Sequence, residues 1–347
     1  MKEYSGITLL GKLCDAFAPS GNESPVLDLI RSQVEGYCDE VKTDRAGNLI
    51  CRISPEKKTS ENALFCAVAD EFGFMVKDID DQGHLSVALL GGLDTSLLSA
   101  RKVVVGNGSR TTVGVVASRP IHSLSADERS KPTPADKLYI ELGTGSREET
   151  EKLVRIGDLG TFRSRSESFG DGLFKAKALE WRVGCGVLCE LIRAVDRTAI
   201  NENLYFAFTT LGATGMRTTG AVVAANVISP RRAYVFGGLG ASDVYGAEDR
   251  NVVCRLGDGV IVSVSDGRTI FAPQQTEALA KKLEELKIPV QQNRASSGGD
   301  IASEVQRSGA GTKVTSLRIP VRYPRSASSL ISKKDYENMI AAAKACL

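Results

Sequence analysis

The chain alternates helix and strand patterns at both ends, but a long stretch of period-2 alternation interrupts it in the middle. "FMVKDIDDQGHLSVALL" (74–90) reads as two strands joined at Asp81-Gln82-Gly83, and "KVVVGNGSRTTVGVVAS" (102–118) as two more around Asn107-Gly108. Strands of this kind bury one face and leave the other polar. The flanking run "ALFCAVA" (63–69) is instead continuously apolar, as a strand buried on both faces is, while "NLYFAFTTLG" (203–212) reads as a buried strand and "RAYVFGGLG" (232–240) and "TKVTSLRIPVR" (312–322) as further strands. The two kinds of strand do not belong in one sheet.

Helical periodicity surrounds the apolar runs. It appears in "GITLLGKLCDAF" (6–17), "VLDLIRSQVEGYC" (26–38), "EWRVGCGVLCELIRAV" (180–195), "TEALAKKLEELKI" (276–288) and "DYENMIAAAKACL" (335–347). Ser146 followed by Glu149, and Ser332 followed by Asp335, are helix-start signals. The pattern predicts an α/β fold with a β-rich, barrel-like domain inserted into it. The expected division is 1–71 and 173–347 for the α/β domain, and 72–172 for the insertion.

Composition narrows the function classes. With 44 Lys plus Arg against 42 Asp plus Glu in 347 residues, no global field draws nucleic acid or an anionic membrane. Apolar runs such as 204–208 and 221–228 fall far short of the roughly 18 residues that suggest a span. No unbroken apolar segment opens the chain, so a cytoplasmic protein with neither nucleic-acid nor membrane partners is expected. Eight cysteines without a CxxC pair favour reduced thiols, with Cys185 and Cys189 in the core of a helix. Only two histidines occur, His84 in a turn and His122 in a loop.

The stretch "CAVADEFGF" (66–74) ends an apolar strand on Asp70 and Glu71. Acid pairs at strand ends often hold metals, yet the strand offers no imidazole. In order along the chain, "PSGNE" (19–23), "DRAGNLI" (44–50), "ADEFGFMVKDID" (69–80), "IHSLSADER" (121–129), "GSREE" (145–149), "KALEWRVGC" (177–185), "SGGD" (297–300) and "IPVRY" (319–323) resemble the dinuclear-metal aminopeptidases that form tetrahedral particles. These are labelled glutamyl aminopeptidase or endoglucanase. The resemblance implies a three-layer α/β/α peptidase-like domain whose inserted β domain mediates assembly.

It also implies a site with two divalent metals, a bridging carboxylate, a bridging water and a glutamate base. The family's strand histidine falls on Val68 and its bridging aspartate on Glu180. The consecutive glutamates, base and ligand, fall on Gly212 and Ala213, the next strand-end aspartate on Gly237, and the last histidine on Arg325. Of these positions only Glu180 keeps a carboxylate, and a guanidinium cannot ligate a cation. Asp70, which orients the strand histidine in the enzymes, Arg182 and Asp300 match the family. Asp70 and Asp300 also admit a purely structural reading, bonded to nearby amides.

The expectation is a catalytically silent homologue without a cofactor, acting in assembly or in binding peptide-like or amino-acid-like ligands. It would self-associate through the inserted domain, with an active paralogue as a further candidate partner. The alternative is a still-active aminopeptidase with an altered site for a metal such as zinc or cobalt, built on acids including Asp70, Glu71, Glu180, Asp243 and Asp300. With five donor positions of the enzymes filled by Val68, Gly212, Ala213, Gly237 and Arg325, the reading leans away from an enzyme. The guanidinium of Arg325 is expected to stand in for a cation and pair with Glu180 or Asp70.

Overall fold

The computed structural model describes residues 3–108, 110–117, 119–214, 220–294, 299 and 301–347. The chain opens with helices α1 (Gly6–Asp15) and α2 (Ser24–Val34), then strands β1 (Glu40–Thr43), β2 (Leu49–Ile53) and β3 (Asn62–Val68). β4 (Gly73–Ile79), β5 (Leu85–Leu90), β6 (Lys102–Gly106), β7 (Thr111–Val116), helix α3 (Ala126–Arg129), β8 (Tyr139–Glu141), helix α4 (Arg147–Glu151) and β9 (Leu159–Phe162) follow. β10 (Glu167–Phe169) and β11 (Leu173–Ala176) lead to the long helix α5 (Leu179–Arg193). The remainder is β12 (Asn203–Thr209), α6 (Gly220–Ile228), β13 (Arg232–Gly240), β14 (Val260–Ser265), α7 (Pro273–Glu285), β15 (Val290–Arg294), α8 (Ala302–Gln306), β16 (Lys313–Val321), β17 (Ser329–Ser332) and α9 (Lys333–Lys344).

Eight strands form one mixed sheet in the order β1-β2-β12-β3-β13-β16-β14-β15. β3 lies in its middle, parallel to both β12 and β13. Its alternate residues divide between two cores: Ala63, Phe65 and Ala67 pack with α1, α2, α5 and α9, whereas Leu64, Cys66 and Val68 pack with α6 and α8. Burial on both faces explains why the run 63–69 has no polar alternation. Helix α5 approaches β13 so closely that a Cβ on Gly184 would lie 2.3 Å from the carbonyl oxygen of Phe236, so only glycine fits there.

The period-2 stretch closes into a barrel, β4-β5-β8-β7-β6-β9, around Phe74, Val76, Ile79, Leu85, Val103, Val105, Ile140 and Phe162. The three-layer α/β fold with a barrel-like β unit therefore agrees with the sequence reading. β10, β11 and β17 form a small separate sheet, which the sequence reading did not anticipate. We propose the division 1–71 plus 173–347 and 72–172 as the units of the chain. All eight cysteines are free thiols, and Cys185 and Cys189 are buried in α5. Among the described residues no helix is long and apolar enough to cross a membrane.

Candidate functional site

The family positions converge where the C-terminal ends of β3, β12 and β13 meet the start of α5 and the turn after β16. Several residues there hold positive φ without being glycine: Ala178 (58°) before α5, Leu211 (59°) after β12, and Tyr323 (53°) and Arg325 (61°) after β16. Such conformations persist only where the surroundings impose them, and they concentrate at functional sites.

Asp70 is fully buried and both of its oxygens are occupied. The Ser20 hydroxyl donates to Oδ2, the Ala213 N–H donates to Oδ2 at 2.7 Å, and the Gly212 N–H donates to Oδ1 at 3.0 Å. The two main-chain amides come from the positions onto which the resemblance places the family's paired glutamates. Gly212 also cannot simply regain a side chain: a Cβ there would lie 2.5 Å from Val68 Cγ1 and 3.2 Å from Asp70 Oδ1. Valine at 68 and glycine at 212 therefore fit one another.

Burial pushes the Asp70 carboxyl from its ordinary 3.8 up to about 6, against the lowering pull of the Ser20, Ala213 and Gly212 donors and with a further upward push from Glu23. The native state thus binds the proton more tightly than the unfolded chain. The stabilisation from this site is complete below about pH 4 and is lost as pH rises through about 6. Unfolding free energy of the wild type minus that of Asp70→Asn, from urea titrations at pH 4 and pH 7.5, should fall between the two; a constant difference contradicts the assignment.

Glu180, on the first turn of α5, is 7% exposed, and burial raises its carboxyl. Its Oε1 accepts the main-chain N–H of Arg325 at 3.0 Å, and its Oε2 has no hydrogen-bond partner among the described residues. This differs from the expected guanidinium pair. The Arg325 side chain instead lies over the Phe72 ring, 4.9 Å from its centroid, and donates through Nη1 to the Gly92 carbonyl at 3.1 Å. The Trp181 ring packs against the other aromatic, 5.9 Å from Phe72. The turn at Gly91 closes over the same spot, since a Cβ on Gly91 would lie 2.1 Å from the Ala213 carbonyl oxygen and 2.4 Å from the Phe72 ring. Gly237 sits against the Glu180 carbonyl with only 3.1 Å for a Cβ. Arginine stacks well on aromatics and loses little hydration there, which offsets the missing ion pair.

Glu71 is the residue that the sequence reading undervalued. It is 1% exposed, and both oxygens accept from Lys177 Nζ, at 2.5 and 2.6 Å. Arg182 Nη2 stands 3.7 Å away, the Ala18 N–H donates at 3.1 Å, and the Thr161 hydroxyl of β9 donates at 3.0 Å. Lys177 itself is buried, and that burial lowers its pKa, with Glu71 pulling upward. This cluster ties the barrel to the sheet and to α5. Lys177 lies inside the quoted stretch "KALEW", but nothing in the sequence paired it with Glu71 across 106 positions.

Other candidates disperse. Asp243 forms a two-point pair with Arg322, at 2.9 and 2.7 Å. His84 faces Asp80 in the β4–β5 hairpin at 3.0 Å, and His122 lies in the short turn 121–123 before α3. Asp300 lies outside the described residues. A cavity of about 880 Å³, lined by Arg119, Lys137, Tyr139 and Glu141 among others, is at the barrel and includes none of the predicted site residues.

A three-layer α/β/α sheet carrying a closed barrel, with the strand ends that hold Asp70 and Glu180 beside it, defines a peptidase-type architecture. The chain belongs to the M42 glutamyl aminopeptidase family, whose model matches residues 47–341. It is 29% identical to a lysyl aminopeptidase of Pyrococcus furiosus over 348 residues, covering 98% of this chain and 96% of that one. Its structure resembles that of an aminopeptidase from the archaeon Desulfurococcus kamchatkensis, with a TM-score of 0.91, 30% identity, and coverage of 97% and 93% of the two chains. It also resembles the Pyrococcus horikoshii TET1 peptidase, described as able to assemble into a tetrahedron or a large octahedral shell, with a TM-score of 0.85, 26% identity and 98% coverage of both chains.

This membership corrects the expectation of no cofactor, because aminopeptidases of the family are dinuclear-metal enzymes and the family points to a divalent metal. The residues at the family positions do not fit the two-metal arrangement. Val68, Gly212, Ala213 and Gly237 bring no donor side chain, both oxygens of Asp70 are occupied by donors, and Glu180 keeps one oxygen without a hydrogen-bond partner among the described residues. Among the described residues, no group of three or more His, Cys, Asp or Glu is placed to hold a metal.

Proposed function

We propose that this chain is a member of the aminopeptidase family in which two-metal hydrolysis at the family site is lost, and that its scaffold serves assembly and the binding of peptide-like or amino-acid-like ligands. The observation that supports this reading most directly is the capture of Asp70 by the Gly212 and Ala213 amides. Where an enzyme needs a base and a ligand side chain, this chain supplies two N–H donors that satisfy a carboxylate. Neither position 212 nor position 213 carries a side-chain atom that could take a proton from water.

The partners we propose are further copies of the chain, joined through the barrel, with an active paralogue as a second candidate, in a cytoplasmic setting. The shells formed by the TET1 relative support self-association.

A second reading is favoured by the family match itself and by the similarity to a lysyl aminopeptidase: a metal-dependent peptidase with an altered site. One experiment separates the two. The purified protein is incubated with zinc, cobalt or manganese, and release of p-nitroaniline from aminoacyl p-nitroanilides is followed alongside an active family member. The first reading expects release at the rate of the protein-free control with every metal. Metal-dependent turnover that Glu180→Ala abolishes supports the second.

A further inference from the structure

Two recesses open side by side where the loop after β14 meets the end of α8, on the far side of the sheet from α5. One, of about 680 Å³, is lined by Asp266, Arg268, Thr269, Ile270, Gln306 and Arg307. The other, of about 550 Å³, is bounded by α6 and α8 and shares the same two arginines. Arg307 reaches across the boundary, donating through Nη2 to the Arg268 carbonyl at 2.7 Å, which fixes the two residues relative to one another.

Neither guanidinium has an ion-pair partner among the described residues, although both are exposed. Thr269, between them, is 2% exposed and its hydroxyl has no hydrogen-bond partner among the described residues. The nearby carboxylate of Asp266 does not cancel the two cations. Its Oδ1 accepts the Arg268 and Thr269 amides at 2.8 Å, its Oδ2 is buried, and its charge acts on the buried Arg318 beneath. Glu304 of α8 lines the second recess. Ile270, 76% exposed, adds an apolar rim to the first.

We propose that the Arg268–Arg307 recess binds the carboxylate of a small acidic ligand. A planar carboxylate matches the guanidinium fork and carries one charge, whereas a phosphate dianion meets the opposing charges of Asp266 and Glu304 more strongly. Ile270 receives the apolar part of such a ligand. The recess lies beyond the carboxyl end of β14, which runs antiparallel to β16, so it opens at the edge of the sheet opposite the strand ends that carry Asp70 and Gly212.

Calorimetric titration with glutarate at low ionic strength tests the assignment independently of any turnover. Saturable binding is expected, weakened about tenfold or more by Arg268→Met and by Arg307→Met and also by added salt, while Arg294→Met leaves it unchanged. Circular dichroism confirms that the variants are folded. No saturable binding, wild-type affinity in either arginine variant, or tighter binding of inorganic phosphate than of glutarate overturns the proposal.

Discussion

Replacing Glu71 by alanine should cost about 3–5 kcal/mol of unfolding free energy, because it strands the buried Lys177 ammonium and leaves Arg182 beside it uncompensated. The charge pair sits at 4% and 2% side-chain exposure, so solvent does not screen the loss. The converse change, Lys177→Met, should be comparably severe, since it leaves an anion facing only one cation, at 3.7 Å. Glu71→Ala combined with Lys177→Met should cost clearly less than the sum of the single changes, because no uncompensated charge of the pair remains. Urea unfolding of the four proteins gives the coupling directly. Additive costs would mean that the pair is not a unit. Because Thr161 of β9 and Ala18 of the α1–α2 connection also bond to Glu71, the single variants should loosen the barrel relative to the sheet, measurable as faster amide exchange in β4 and β9.

Gly212→Ala is the second large effect. Its Cβ must displace Val68 Cγ1 from 2.5 Å in a core where Val68 is 1% exposed, so a loss of about 1–3 kcal/mol is expected. Val68→Ala alone opens a void and should cost about 1–3 kcal/mol. Together the two changes should cost less than either sum predicts, since the removed methyl groups make room for the added one. If the double variant is no more stable than additivity allows, the two positions do not share space. The same geometry explains why restoring one family residue at a time cannot rebuild a metal site: a glutamate at 212 needs the space that Val68 now fills.

Much of the architecture was legible because hydrophobic periodicity reports directly on burial. The run 63–69 announced a strand covered on both faces, and the alternation of 74–90 and 102–118 announced a one-sided sheet. Helix starts at Ser146 and Ser332 were readable from their own side chains, which accept the Glu149 and Asp335 amides. β14 and β15 were not picked out, nor was the sheet of β10, β11 and β17, whose strands of three and four residues carry too little pattern to separate from loop.

At the site, the sequence supplied a list of side chains that do not ligate metal. It could not supply what replaced them. That Asp70 is held by two amides depends on the positive φ of Leu211, which turns the chain after β12 back over β3. That Arg325 turns to an aromatic ring rather than to an acid depends on where the Gly91–Gly92 turn brings a carbonyl and Phe72.

Composition and periodicity by themselves determined the α/β class, the β interruption and the reduced thiols, because each is a property of residue types and their local spacing. Only the tertiary structure decided that Glu71 meets Lys177, that Val68 and Gly212 divide one volume, and that Arg268 and Arg307 share a recess. Those contacts join residues far apart in the chain, and their energies come from desolvation and close packing, which no local pattern records.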